Sequence, residues 1–181
     1  MTIAITGSTG ALGTLVVAEL LKRRPATDVV ALARDTSKAQ QFADQGVTVR
    51  PFDYDSPETL AEALDGVDTL LLISGNAVGQ RVPQHSAVIE AAKAAGVNRI
   101  VYTSVLAADT STSPVAPEHV QTEALLAESG IEHVVLRNGW YHDNYQPAFE
   151  QARQTGVVVS SAQEGRVSSA SRADYAEAAA V

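Results

Sequence analysis

Short, unbroken apolar runs alternate along this chain with longer stretches in which apolar residues return every third or fourth position. The runs Ile3–Thr6, Val29–Ala33, Val47–Arg50, Thr69–Ser74, Arg99–Ser104 and His133–Arg137 read as strands. The stretches Ala11–Arg23, Thr36–Gln45, Pro57–Leu64, Pro83–Ala95 and Pro117–Glu128 read as helices between them. Continuous apolarity, as in Leu70-Leu-Leu-Ile73, marks a strand buried on both faces, and no period-two alternation stands out. The punctuation agrees. Pro57, Pro83 and Pro117 fall in first helical turns, and Gly46, Gly66, Gly96 and Gly130 fall where helices stop. Strand and helix alternating this regularly predict one α/β domain over residues 1–181, a Rossmann-type, doubly wound, mostly parallel sheet with helices on both faces. Ala107–Ala116 is the one long polar connection. Ser171-Arg-Ala-Asp174 reads as the start of a last helix, a capping serine with an acid three residues on. That helix stops at Val181 after about two turns, so the C-terminal, substrate-side portion is expected to be incomplete.

The first strand runs straight into Gly7-Ser8-Thr9-Gly10-Ala11-Leu12-Gly13, and the first helix begins before the turn is finished. Glycine admits backbone conformations closed to other residues and lets amide groups approach an anion without a Cβ between them. The helix start adds unsatisfied N–H groups and the positive end of its dipole. A strand, this turn and a helix in succession predict a dinucleotide diphosphate site. About twenty residues beyond the last glycine, at the tip of the second strand, a carboxylate would hold the ribose hydroxyls of NAD. Arg34 stands there instead, with Asp35 next and Lys38 four residues on. A guanidinium pairs bidentately with a 2′-phosphate, so NADPH is the expected cofactor. The other reading makes Arg34 a solvated surface residue and gives the ribose to Asp35. Three more strand ends join the site: Asp53 after Phe52 to border the adenine, Ser74-Gly75-Asn76 along the ribose and diphosphate, and Thr103-Ser104 near the nicotinamide.

Composition narrows the chemistry. A formal charge of −8 opposes a nucleic-acid partner. With no cysteine there are no disulfides, iron–sulfur clusters or thiol nucleophiles. The first strand follows Met1 at once, leaving no signal peptide, and apolar runs such as Leu70–Ile73 fall far short of the ~20 residues that span a bilayer. The expected location is the cytoplasm, without membrane insertion. The four histidines (85, 119, 133 and 142) lack tight ligand spacing, so no metal is expected. Neither a Gly-x-Ser-x-Gly elbow nor a Walker lysine is present.

Several stretches together carry a family likeness. They are Ile3-Ala-Ile-Thr-Gly-Ser-Thr-Gly-Ala-Leu-Gly13, Val30-Ala-Leu-Ala-Arg34, Leu70-Leu-Leu-Ile-Ser74 with Val78-Gly-Gln-Arg81, and Ala91-Ala-Lys-Ala-Ala-Gly96. Others are Tyr102-Thr-Ser104, Glu118-His119, Leu136-Arg-Asn-Gly-Trp-Tyr141 with Asn144-Tyr145, and Ser171-Arg-Ala-Asp-Tyr175. The chain resembles the NmrA-like, atypical short-chain dehydrogenases/reductases, and within them the bacterial, flavin-free, type-2 NADPH-dependent quinone oxidoreductases. The resemblance covers nearly the whole chain. It implies NADPH at Gly7, Gly10, Gly13 and Arg34, no flavin, and a quinone site around the loop after Ser104 and the Asn138–Tyr145 turn. It also implies further residues beyond Val181 that close the substrate side.

Carbonyl-reducing members of that superfamily use a Tyr-x-x-x-Lys pair, and none of Tyr54, Tyr102, Tyr141, Tyr145 and Tyr175 has a lysine four residues later. Reducing an ordinary carbonyl makes a strongly basic alkoxide that needs a positioned acid. A quinone instead yields a stabilised phenolate-like anion that solvent protonates, so proximity and orientation suffice. The sequence therefore predicts hydride transfer from NADPH to a quinone-like acceptor. His119, with Glu123 four residues on and on the same helical face, is expected to titrate near neutral pH and to orient the cofactor or give a proton. Its other reading is a partly exposed histidine near a helix start. Tyr141, His119 and Asn144 are the candidates for catalysis, and Asn138, Trp140 and Tyr141 for holding a flat acceptor, with a core role for Trp140 as the alternative. A rival function is a redox-sensing regulator that binds the nucleotide and acts through a protein partner without turnover. An exposed helix face offers a surface on which two copies could pair as a homodimer.

Overall fold

The computed structural model describes residues 1–160 and 163–181. Strand β1 (Ile3–Ile5) leads into α1 (Ala11–Leu21), and β2 (Val29–Ala33) into a 3-10 turn over Thr36–Ala39 continued by a short α2 (Gln40–Ala43). Next come β3 (Thr48–Pro51), α3 (Pro57–Ala63), β4 (Thr69–Leu72), α4 (Arg81–Ala94), β5 (Arg99–Val105), α5 (Ala116–Ser129) and β6 (Glu132–Asn138). The chain then makes β7 (Trp140–Tyr141), α6 (Gln146–Thr155), β8 (Ser169–Ala170) and α7 (Arg172–Ala180). Six strands pair in parallel in the order β3-β2-β1-β4-β5-β6, with Ile3 level with Val29 on one side and Thr69 on the other. This is the doubly wound arrangement. A separate two-stranded parallel pair joins β7 to β8.

Alternation inside the buried strands divides the core between the two faces of the sheet. Ala4, Val30, Leu32, Leu70, Leu72 and Ile100 pack with Leu60, Val88, Ile89 and Leu126 from α3, α4 and α5. Ile3, Ile5, Val29, Ala31 and Leu71 pack with Leu12, Val16, Val17 and Leu20 of α1, Phe42 of α2 and Ala176 of α7. α7 lies against α1, and its predicted start is present: Ser171 Oγ accepts from Asp174 N at 3.1 Å while Asp174 Oδ2 accepts from Ser171 N at 3.1 Å.

Some expectations need correction. The helix expected over Thr36–Gln45 is broken into a 3-10 turn and one α-turn, because Asp35 turns its side chain onto Ser37 N and tightens the start. α4 begins at Arg81, two residues before Pro83. Burial on both faces holds for β1, β2 and β4 and fails at the sheet edges, where β3 and β6 are half exposed and β6 alternates. β7, β8 and α6 were not foreseen: two-residue strands leave no periodic trace, and α6 buries none of its residues and so shows no core stripe.

Candidate functional site

Between β1 and β4 the strand order reverses. The chain leaves β1 for α1 on one face and β4 for α4 on the other, which opens a crevice at the C-terminal strand ends. The resulting cleft of about 590 Å³ is lined from the ends of β1 to β5. Volumes of this order suit a small-molecule ligand.

The glycine turn forms one side. Gly7 takes φ +57°, and its carbonyl accepts from Gly10 N at 2.9 Å. A Cβ on Gly13 would stand 2.2 Å from that carbonyl oxygen and 2.8 Å from Ser8 Cα, so only glycine lets α1 come this close. Gly10 begins α1 with no side chain capping it, leaving the amides of Ala11, Leu12 and Gly13 turned to a cleft that these residues line with Gly7 and Thr9. Ser8 stands apart: it is fully buried, and its hydroxyl donates to Leu32 O at 2.9 Å.

At the tip of β2, Arg34 lines the cleft and has no ion-pair partner among the described residues. Asp35 is occupied elsewhere, accepting from Ser37 N at 3.1 Å and Ser37 Oγ at 2.6 Å. Lys38 lies 3.8 Å from Asp35 and outside the cleft lining. After β3, Asp53 and Asp55 reach the cleft, with Asp53 Oδ1 accepting from Asp55 N at 3.2 Å. Tyr54 donates to Ile73 O at 3.0 Å, and burial pushes its phenol above the ordinary tyrosine range. Gln84 gives its amide proton to Asp55 at 2.8 Å, while its Oε1 is buried without a partner among the described residues.

Ser74, Gly75 and Asn76 form the wall after β4, tied down at several points. Ser74 N donates to Thr103 Oγ1 at 2.9 Å, and Gly75 N to His85 Nε2 at 3.1 Å. Arg81, buried on α4, donates through Nε to Gly75 O at 3.0 Å and through Nη1 to Glu118 Oε2 at 2.6 Å. Glu118 Oε1 in turn accepts from Gly79 N at 2.9 Å. Sequence reasoning missed Arg81, Gln84 and His85. The available signal was Arg81 and His85 four residues apart, hence on one helical face.

Strand alternation separates the residues of β5. Thr103 lines the cleft, whereas Tyr102 and Ser104 face the other way: Ser104 donates to Glu123, and the Tyr102 hydroxyl sits 2.6 Å from His119 Nδ1. His119 is only 3% exposed, outside the cleft lining, and pushed down to about 4 by burial first and the Arg81 charge second. The expected titration near neutrality and the expected partial exposure are both corrected. Glu123 does not pair with His119 but holds Arg137 at 2.7 Å.

Tyr141 and Arg172 close the far end of the cleft. The Arg172 guanidinium lies 4.8 Å over the Tyr141 ring and 2.9 Å from Asp143 Oδ1. Tyr141 meets Tyr175 edge to face at 5.3 Å, and its hydroxyl accepts from Asn138 Nδ2 at 3.1 Å, so Asn138 stands behind it and off the cleft. Trp140 is half exposed, set against Tyr145 at 6.4 Å, and belongs neither to the core nor to the cleft lining. Asn144 is exposed and outside it too. Arg172 was not anticipated, because its place depends on α7 folding back beside β7. Among the described residues, no group of three or more histidines and carboxylates could hold a metal ion, and no helix is long and apolar enough to cross a membrane.

Open amides at a helix start, an unpaired guanidinium and an orphaned buried acceptor fit an elongated phosphorylated dinucleotide that also carries hydrogen-bond donors. Comparison with known proteins points the same way. The family described as NAD(P)H-binding matches residues 7–180. Quinone oxidoreductase 2 of Escherichia coli (strain K12) is 54% identical over 178 residues, which cover 98% of this chain and 62% of that protein. The crystal structure of the E. coli NADPH-dependent quinone oxidoreductase complexed with NADPH superimposes with a TM-score of 0.96 at 54% identity, over 99% of this chain and 63% of that one. Citrobacter sp. triphenylmethane reductase complexed with NADP(H) gives 0.94 at 40% identity, over 99% and 64%. The chain thus spans a little under two thirds of the length of these relatives.

Proposed function

The chain belongs to the NAD(P)H-binding, NmrA-like family, and from that premise we propose that it binds NADPH and passes a hydride to a quinone-like acceptor. The observation that carries the reading is Arg34, a guanidinium on the cleft in no ion pair among the described residues, at the position that meets the ribose 2′ substituent. Its neighbour Asp35 is spent on Ser37 and Lys38, which removes the competing ribose-binding acid.

The bound nucleotide supplies the hydride; the chain supplies position and charge. Gly7, Gly10 and Gly13, with the open amides of Ala11 and Leu12, cradle the diphosphate. Asp53 and the Gln84 acceptor border the adenine end. Ser74, Gly75, Asn76 and Thr103 wall the side between adenine and nicotinamide. Tyr141 stands at the acceptor end as a neutral phenol, since burial, ahead of every other influence, raises its pKa. Its oxygen already accepts from Asn138, which leaves its proton for an acceptor oxygen. Arg172 over the same ring favours the anion that a quinone becomes on taking hydride. The absence of a Tyr-x-x-x-Lys pair suits such an acceptor better than an ordinary carbonyl. His119 holds Tyr102 and has no contact role in this reading, nor do Ser8, Lys38, Ser104, Trp140 and Asn144. A cysteine-free chain suits a reducing, cytoplasmic setting.

Loss of reduced-nucleotide absorbance with a small soluble quinone, run in parallel with NADPH and NADH, tests the proposal. NADPH-selective turnover is expected. Tight NADPH binding without turnover on any acceptor would move the reading to the redox-sensing regulator, or to an acceptor side that needs residues outside this chain; the same assay on a longer chain separates the two.

A further inference from the structure

Both backbone polar groups of Gly75, which belong to the two peptide units flanking its Cα, are held by buried side chains one turn apart on α4: Arg81 Nε donates to its carbonyl at 3.0 Å, and His85 Nε2 stands 3.1 Å from its nitrogen. An amide N–H can only donate, so His85 Nε2 must present its lone pair. In the neutral ring the proton then sits on Nδ1, which faces Thr122 Oγ1 at 3.1 Å. Thr122 can accept it because its own proton goes to Glu118 O at 2.9 Å. One tautomer of a neutral imidazole satisfies every group in this chain, and the other leaves Gly75 N–H facing a second donor. Burial first, then the Arg81 charge, pulls the His85 pKa down to about 3, which keeps the ring neutral.

Gly75 lines the cleft beside Gln84 and Tyr54: a Cβ there would lie in ordinary contact with Gln84 Oε1 at 3.4 Å and the Tyr54 ring at 3.6 Å. His85 itself does not line the cleft. Resting on the nucleotide reading above, we infer that His85 is a positioning residue, whose Nε2 lone pair fixes the Gly75 peptide in the wall of the nucleotide site, with Thr122 selecting the tautomer that does so. A wall held before the ligand arrives spares the binding step the cost of ordering it.

Two readouts test this. In the nucleotide-free chain, imidazole nitrogen shifts should place the His85 proton on Nδ1, and the Gly75 amide should resist hydrogen exchange. Thr122→Val removes the tautomer-setting acceptor without touching the cleft, so Gly75 protection should drop about tenfold or more. NADP⁺ affinity by calorimetry should fall about tenfold or more in T122V and H85F. In H85Q the side-chain amide can accept from Gly75 and donate to Thr122, so that variant should stay within about threefold of wild type. A proton found on Nε2, an unprotected Gly75 amide, or folded T122V binding NADP⁺ as wild type does would each overturn the inference. Should the wild-type chain bind no NADP⁺, the nucleotide reading falls, while the imidazole and amide readouts still decide whether His85 fixes Gly75.

Discussion

Arg34 meets the cleft in no ion pair among the described residues, and a phosphate placed against it gains a charge-assisted pair without first breaking one of these. Pairs of this kind are worth about 1.5–3 kcal/mol, so Arg34→Ala should weaken NADPH binding about tenfold to a hundredfold. NADH affinity should stay within about threefold, and a loss shared equally by both nucleotides would remove Arg34 from the 2′-phosphate. Tyr141 poses a different question, because its ring packs under Arg172 and against Tyr175 while its hydroxyl is engaged by Asn138. If it meets the acceptor, Tyr141→Ala should raise the quinone KM about tenfold and leave the NADPH dissociation constant nearly unchanged. A KM that does not move would assign the ring to packing.

The strands and most helices were legible because their signals are local: apolar runs, prolines in first turns, a capping box at Ser171. The glycine turn was legible for the same reason, since Gly7 and Gly13 answer steric demands set within a few residues. What stayed hidden depends on partners distant in sequence. Ser104 reads like Thr103 until the pleat turns it toward Glu123 on α5, and Ser8 reads like Thr9 until Leu32 takes its hydroxyl. Arg81, His85 and Glu118 matter because α4 packs on α5. That seam also carries a pH signature. His85 at about 3 and His119 at about 4 lie below the ordinary 6.5, so the unfolded chain takes up their protons first as pH falls. Their neutral burial costs nothing above pH ~7, each destabilises by up to about 1.4 kcal/mol per pH unit below ~6.5, and the loss levels off once the folded rings protonate. Urea unfolding at pH 7, 6 and 5 should show stability dropping, with a shallower drop in H119Q; a flat profile would contradict the burial of both rings.

Across the whole molecule, the sheet order, the two core faces and the cleft at the strand reversal form one nucleotide-binding architecture. A formal charge of −8 makes the molecule repel anions at long range, so Arg34 and the amides at the start of α1 are the groups that supply local attraction. Apolar side chains stand in water at the other end of the chain, with Trp140 50%, Phe149 58% and Val158 72% exposed. They lie in the region that follows β6, and none of the three lines the cleft. The most direct test is equilibrium titration of this chain with NADPH and with NADH by calorimetry. The account predicts NADPH binding at least about tenfold tighter than NADH. Equal affinities, tighter NADH, or no binding of either nucleotide would contradict it.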